Sequence, residues 1–291
     1  MSRISGGLRR SLLAAELRRL RAEARLNGPA IAKELGWSPA KFSRLESGIT
    51  RPSTEDVAAL LARYEVPEGR REGFLELARQ AAQPGWWDSY AKDLPSSYVD
   101  YIAFEHEASV IINWEPGIIP GLLQTADYIE AFIRLNQDYF DMSPSLLRSR
   151  LQARLKRQEL LTAAQPLQLR AIVDEAVVYR LIGDKEIMRA QLEHLIKVAQ
   201  LPNVTIRIVE LARPYPLLTS SLSQLQFEPT AHPVGFRHSD ITYMETATGG
   251  EISFDERETH QYGRMVDRIM QAALKPDESI QLMRRAVGRL A

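Results

Sequence analysis

The chain contains no cysteine, which excludes a disulfide framework, a thiolate metal site and a cysteine nucleophile, and fits a reducing cytosol. It has no run approaching the ~18 apolar residues of a transmembrane helix. Its first residues are punctuated by arginines and lack the apolar core and cleavage site of a signal peptide. A cytoplasmic protein without membrane attachment is expected. Net charge is also missing, with 37 Lys+Arg against 37 Asp+Glu. The 45% hydrophobic content and mean hydropathy of -0.25 describe a soluble chain able to bury a small and a larger core.

The zero charge hides an asymmetry. Residues 1–51 hold 11 basic and 4 acidic side chains, a balance of +7, and the other 240 residues carry -7. Within the basic segment, Leu13, Leu17, Leu20 and Ala24 stripe one face of a helix, with Arg18, Arg19, Arg21 and Arg25 around them. Asn27-Gly28-Pro29 should end it and start a short second helix with Ile31 and Leu35 buried. Gly36 suits a sharp turn, Trp37 a plug, Ser38 an N-cap and Pro39 a first helical position. The third helix is expected from Pro39 to Ser47, with Phe42 and Leu45 inward. A fourth opens at Ser53, and a fifth covers about Glu68 to Gln83, packing Phe74, Leu75 and Ala78.

Two short helices joined by a tight glycine turn form the helix-turn-helix pattern, whose second helix enters the major groove. The side chains projecting from it are Ser38, Ala40, Lys41, Ser43, Arg44 and Ser47. Lys41 and Arg44 share a face, and an arginine reads guanine O6 and N7 bidentately, so Arg44 is the expected base reader. Arg51, Arg18, Arg19, Arg21 and the backbone at Gly28 are candidates for phosphate contact. The other reading of these arginines is a solvated helix face.

Pro84-Gly85 breaks the helical run and marks the expected domain boundary. Residues 86–140 hold 11 of the 22 aromatic side chains, which makes this stretch a core or a contact surface. A helix over about Tyr98 to Asn113 and a non-helical turn from Trp114 to Gly121 are expected, with Thr125 capping the next helix. Strands are expected at 167–173, 204–209, 223–227, 241–245 and 252–254, the last two joined by a turn at Gly249-Gly250. Helices are expected at 185–200, 256–274 and 278–290, with Pro276 between the last two.

Residues 12–66, above all Ile31 to Gly48, resemble the Xre/Cro-like helix-turn-helix domain. The remainder resembles the uncharacterised C-terminal domain of WhiJ-like, antitoxin-like actinobacterial regulators. Its marks are Gly85-Trp86-Trp87-Asp88, the segment Trp114 to Tyr128, and Val173-Asp174-Glu175-Ala176. The resemblance implies a transcription regulator accompanied by a small acidic partner protein. Where the Xre pattern opens its second helix with Thr-Gln, Gly28-Pro29 stands here, so only backbone contact remains at that point. Pro39 cannot read a base, which moves discrimination onto Ala40, Lys41 and Arg44.

Trp86, Trp87, Trp114, Gln124 and Tyr128 are candidates for binding a partner or ligand, or they are core residues shaping a loop. The basic helix Ser145 to Leu161 either touches DNA or an acidic partner, or ion-pairs internally. Catalysis has little to stand on. His106, His194, His232, His238 and His260 form no metal-type pair, Ser220-Ser221 lie in no nucleophile elbow, and Asp174-Glu175 have no nucleophile or phosphate loop beside them. No cofactor, no metal and no enzyme activity are expected.

The expected architecture is a mainly α, five-helix helix-turn-helix domain at 1–83 followed by an α+β domain at 84–291. The expected function is sequence-specific binding of a double-stranded operator by a homodimer, with the second domain receiving a partner protein or ligand. The alternative is an antitoxin-like protein that sequesters a small partner and uses DNA binding for autoregulation.

Overall fold

The computed structural model describes residues 6–48, 50–136, 143–214, 219–227, 240–246 and 249–290. They fall into two compact units, the first ending at Asp88 and the second beginning at Ser89. The first unit thus keeps Gly85-Trp86-Trp87-Asp88 with the helices.

The first unit is five helices: α1 (Gly6–Glu23), α2 (Gly28–Glu34), α3 (Pro39–Glu46), α4 (Thr54–Arg63) and α5 (Glu68–Ala81). Leu13, Leu17 and Leu20 of α1 join Ile31, Phe42, Leu45, Leu60, Leu61, Phe74 and Leu77 in one core. Each such leucine stabilises the fold by ~1.5 to 3 kcal/mol through removal of apolar surface from water. Two expectations shift. Ala24 is exposed beyond the end of α1, and Leu77 holds the fully buried place in α5 while Leu75 packs at the margin.

Capping explains the boundaries. Ser38 accepts from the Lys41 amide at 3.1 Å and Ser53 from the Asp56 amide at 3.0 Å, each satisfying an orphan donor of its helix. Gly36 takes φ +68°, the left-handed conformation that the turn between α2 and α3 needs. The turn after α1 differs from expectation, because Arg25 adopts φ 54° there. Asn27 is released to cap α2, accepting from the Ala30 amide.

The second unit has a six-stranded sheet in the order β3-β2-β1-β4-β5-β6. The strands are β1 (Val110–Glu115), β2 (Gln168–Asp174), β3 (Val204–Val209), β4 (Leu222–Gln226), β5 (Ile241–Thr246) and β6 (Gly249–Ser253). The pairs β3-β2 and β2-β1 are parallel, and β1-β4, β4-β5 and β5-β6 are antiparallel. Its helices are α6 (Ser96–Glu107), α7 (Ala126–Leu135), α8 (Pro144–Gln158), α9 (Glu175–Tyr179), α10 (Lys185–Val198), α11 (Glu256–Ala272) and α12 (Pro276–Arg289). Among the described residues no helix is long and apolar enough to cross a membrane.

Three expectations for this unit are corrected. The helix read over Tyr98 to Asn113 stops at Glu107, and the chain becomes β1, the strand between β2 and β4. All but its first residue are buried, so the sequence gives no inside-outside alternation to announce a strand. Gly249 and Gly250 lie in β6, opposite Thr246 and Glu245. A Cβ on Gly250 would come within 2.3 Å of the Tyr243 ring, so glycine stands there for close approach. Pro276 is the first residue of α12 and starts that helix, where its missing N–H costs nothing.

β1 divides the unit into a dry side and a polar side. Ile112 and Trp114 belong to an apolar cluster with Val266 and Ile269 of α11 and with Ala273 just past its end. The alternate residues Ile111, Asn113 and Glu115 line a cavity with Tyr98, Tyr101, Tyr243, Arg154 and Arg157.

Candidate functional site

On α3 the residues Ala40, Ser43 and Arg44 are exposed, as are the flanking Ser38 and Ser47. Phe42 and Leu45 point into the core, so the short helix is anchored by one face and shows the other. Glu46, at 7% exposure, fixes its C-terminal end. Its carboxylate accepts from Arg21 Nε at 2.8 Å and from the Tyr64 hydroxyl at 3.2 Å, while Arg18 donates to its carbonyl. Its hydrogen bond to the Glu46 carboxylate raises the Arg21 pKa against the opposing effect of burial. Burial and the Glu46 carboxylate push Tyr64 well above its usual value. Glu46 is a positioning residue that the sequence did not reveal, since a Glu beside Ser47 at the end of a short helix looks solvated.

The expected nucleic-acid contacts sort into committed and uncommitted groups. Lys41 donates to Asp56 Oδ1 at 2.7 Å, and its Nζ sits 4.3 Å from the centroid of the Trp37 ring. Arg51 ion-pairs with Asp88 Oδ2 at 2.8 Å, and the same carboxylate oxygen receives the Gly85 amide. Arg19 is taken by Glu16 and Glu23, and Arg21 by Glu46. Ser47 donates its hydroxyl to the Arg44 carbonyl. The Arg44 guanidinium, by contrast, has no hydrogen-bond or ion-pair partner among the described residues. Gly28 is buried, and a Cβ there would stand 2.7 Å from Phe42 Cε1. Gly28, expected to offer its backbone to DNA, thus packs against Phe42, and the exposed residues beside it are Asn27, Pro29 and Ala30.

In the second unit the residues proposed for a partner turn inward. Trp114 and Gln124 are fully buried and Tyr128 is 1% exposed. Gln124 donates to the Ile119 carbonyl and accepts from Arg154, and the Tyr128 hydroxyl accepts the Ile119 amide. Burial pushes the Tyr128 hydroxyl up to about 12. Gln191 closes the same loop from α10, accepting the Thr125 amide and donating to the Leu123 carbonyl. Thr125 caps α7 as expected. Trp87 is buried in the first unit, edge-on to the partly exposed Trp86. Asp174 caps α9 through the Ala176 amide, and Glu175 accepts the Leu211 amide. His232 and His238 lie outside the described residues.

The basic helix α8 also turns inward. Arg157 is 6% exposed and makes a two-pronged ion pair with the fully buried Glu105, at 2.6 and 2.7 Å. It also donates to the Tyr98 hydroxyl, and Tyr101 donates to Glu105. Glu115, on β1, accepts from Ser221 and Asn113. Its carboxyl is nonetheless pushed up to about 8, first by desolvation and then by the charge of Glu245.

Residues 98–285 match the model of a family described as a domain of unknown function, DUF5753. That match spans well over half of the chain. The chain belongs to the DUF5753 family. In this member the family's segment begins in α6 and ends in α12, so it takes in the whole sheet. Residues 12–74 match a helix-turn-helix domain, which covers α2, α3 and α4. No curated protein and no solved structure matches this DUF5753 protein. The helix-turn-helix domain marks it as a DNA-binding regulator.

Proposed function

We propose that this DUF5753 protein is an Xre-type transcription regulator that reads its operator with α3. The observation carrying the proposal is the contrast on one surface: Arg44 is exposed without an internal partner, while Arg19, Arg21, Lys41 and Arg51 are each held by a carboxylate. Arg44 is the base reader, worth ~1 to 3 kcal/mol of discrimination. Ala40 offers a methyl to thymine, and Ser38 and Ser43 offer hydroxyls to phosphate or base edges. Lys41 and Arg51 reach phosphate by exchanging exposed ion pairs of small net worth. Two copies on a pseudo-palindrome place α3 in successive major grooves, ~34 Å apart or a multiple of that. The DUF5753 domain is the effector-receiving, non-catalytic part, and a WhiJ-like pairing with a small acidic protein is one form that reception takes.

DNA selection with the purified full chain at several salt concentrations tests this. An enriched motif is expected, with log affinity falling against log salt by ~0.9 per neutralised phosphate. A flat salt response with no motif overturns the reading.

A further inference from the structure

Helix α8 carries Arg150, Arg154 and Arg157 at intervals of four and three, which places them on one stripe. Ala153, on the same side, is fully buried, so the stripe faces the interior. Among the described residues, Arg157 alone of the three has a carboxylate partner. Arg154 donates to a neutral group, Gln124 Oε1, at 2.9 Å and has no ion pair among the described residues. The half-buried Arg150 has a fully enclosed Nε with no hydrogen-bond partner among the described residues. The charge of Arg154 adds to desolvation in lowering its pKa. Two adjacent, partly buried cations that make no ion pair among the described residues, although the charge of Glu245 acts on Arg150, cost stability unless something neutralises them further.

Arg154 lines the cavity on the polar side of β1, whose volume is about 30 Å³. Space of that size holds roughly two waters or the head of a small ligand. Around it stand Tyr98, Asn113, Glu115, Ser223 and Tyr243. The Tyr243 hydroxyl is completely enclosed and has no hydrogen-bond partner among the described residues, in a residue 3% exposed. Tyr243 stacks on Tyr101 at 4.1 Å, which fixes its direction. Buried hydroxyls nearly always find a partner, so this one has a donor and acceptor in reserve. Glu245 lines the same cavity and offsets part of the arginine charge, leaving one further negative charge to be balanced but not two, and it makes no ion pair with either arginine.

We propose that this cavity is a binding site for a small carboxylate of a few heavy atoms, held by Arg154 under the charge of Arg150 and hydrogen-bonded by Tyr243. A monoanion matches the two unpaired arginines opposed by Glu245, and a planar carboxylate suits the guanidinium fork better than a point charge. Glu115, largely protonated at neutral pH, adds a neutral wall that does not repel the ligand. Benzene-sized bodies need a cavity nearer ~150 Å³, so the site selects short acids. The inference gives the effector of the proposed regulator a chemical class, and it rests on that reading only for the consequence at DNA.

The test is calorimetric titration of the full chain, at constant ionic strength in chloride, with acetate, lactate, their amides, benzoate and inorganic phosphate. Saturable binding of acetate or lactate is expected, without binding of the amides, benzoate or phosphate. Arg154→Gln should weaken it by about tenfold or more, the loss of a charged hydrogen bond. Tyr243→Phe should weaken it by a smaller factor, and the exposed Arg148→Gln should bind as the parent does. Circular dichroism establishes that each variant is folded, and if Arg154→Gln is not, Tyr243→Phe carries the test. The proposal is overturned if neither carboxylate saturates, if the amides or phosphate bind as tightly, or if the folded variants bind as the parent does. Operator affinity with and without saturating carboxylate is read separately. Binding of carboxylate by a protein that ignores DNA would overturn the regulator reading and leave the site. Operator affinity unmoved by bound carboxylate would remove the effector role alone.

Discussion

Helices α3 and α8 are both basic and both open with Ser-Pro, capped by Ser38 and Ser143, yet they use their arginines in opposite ways. In α3 the core-facing positions are Phe42 and Leu45, and Arg44 is left on the surface. In α8 Leu147 and Leu151 pack against α7, and the stripe beside them that turns inward is arginine, with Arg157 at 6% exposure against a buried glutamate. The difference shows that a basic helix announces neither nucleic acid nor solvent until the opposite face is known. What decides is whether apolar residues occupy the stripe that must be buried.

The largest break in that comparison comes from Arg157→Gln, which strands Glu105 without its partner. Denaturant unfolding should show a loss of ~3 to 5 kcal/mol, the cost of an uncompensated buried charge. A loss below 1 kcal/mol would mean that α8 behaves as a surface helix like α3.

Acidity sharpens the same contrast. Glu115 has a folded pKa of about 8 against an ordinary 4.5, so the folded state holds the proton more tightly than the unfolded state does. Stability is therefore greatest below about pH 4.5 for this group, declines as pH rises, and has lost the full contribution above about 8. The loss should amount to a few kcal/mol, and Glu115→Gln should flatten it in unfolding curves recorded across that window. An unchanged slope in the variant would assign the effect elsewhere.

Arg44→Ala addresses the outward helix. Discrimination between operator and random DNA should fall by ~1 to 3 kcal/mol, with the melting temperature unchanged because nothing internal is lost. Operator preference equal to that of the parent, in competition binding, would reject the base-reading role. The smallest effect is expected from Arg148→Ala on the exposed side of α8: within ~0.5 kcal/mol in stability and no change in DNA affinity or its salt slope. A reduced salt slope would restore a DNA contact for α8.

The first unit was readable because its signals are local. Ser38, Gly36, Pro39 and Ser53 set boundaries through their own backbone chemistry, and the leucine spacing of α1 marks its buried face without reference to other elements. Arg25 escaped because a left-handed arginine contradicts the usual preference for glycine at that turn. In the second unit the sequence predicts helix to Asn113 and a turn from Trp114 where β1 runs, since a strand buried on both faces and holding Asn113 and Glu115 has no periodicity to detect. The inward arginines did leave a trace, for 150, 154 and 157 share a stripe with Ala153, but charge at that spacing ordinarily signifies a wet face.

By itself the sequence determined the helix-turn-helix unit, its caps and the residues its third helix could show to DNA, because those depend on contacts within a few residues along the chain. It also determined that an α+β unit follows. Only the tertiary structure decided which cations are spent. Arg51 on Asp88, Lys41 on Asp56 and Arg157 on Glu105 are pairs separated by 37, 15 and 52 residues, and a charge is neutralised by proximity in space, which one-dimensional spacing does not encode. The same folding that tied up those residues left Arg44 outside, and brought Arg154 and Tyr243 to one cavity with Arg150 beside Arg154 on the same stripe of α8.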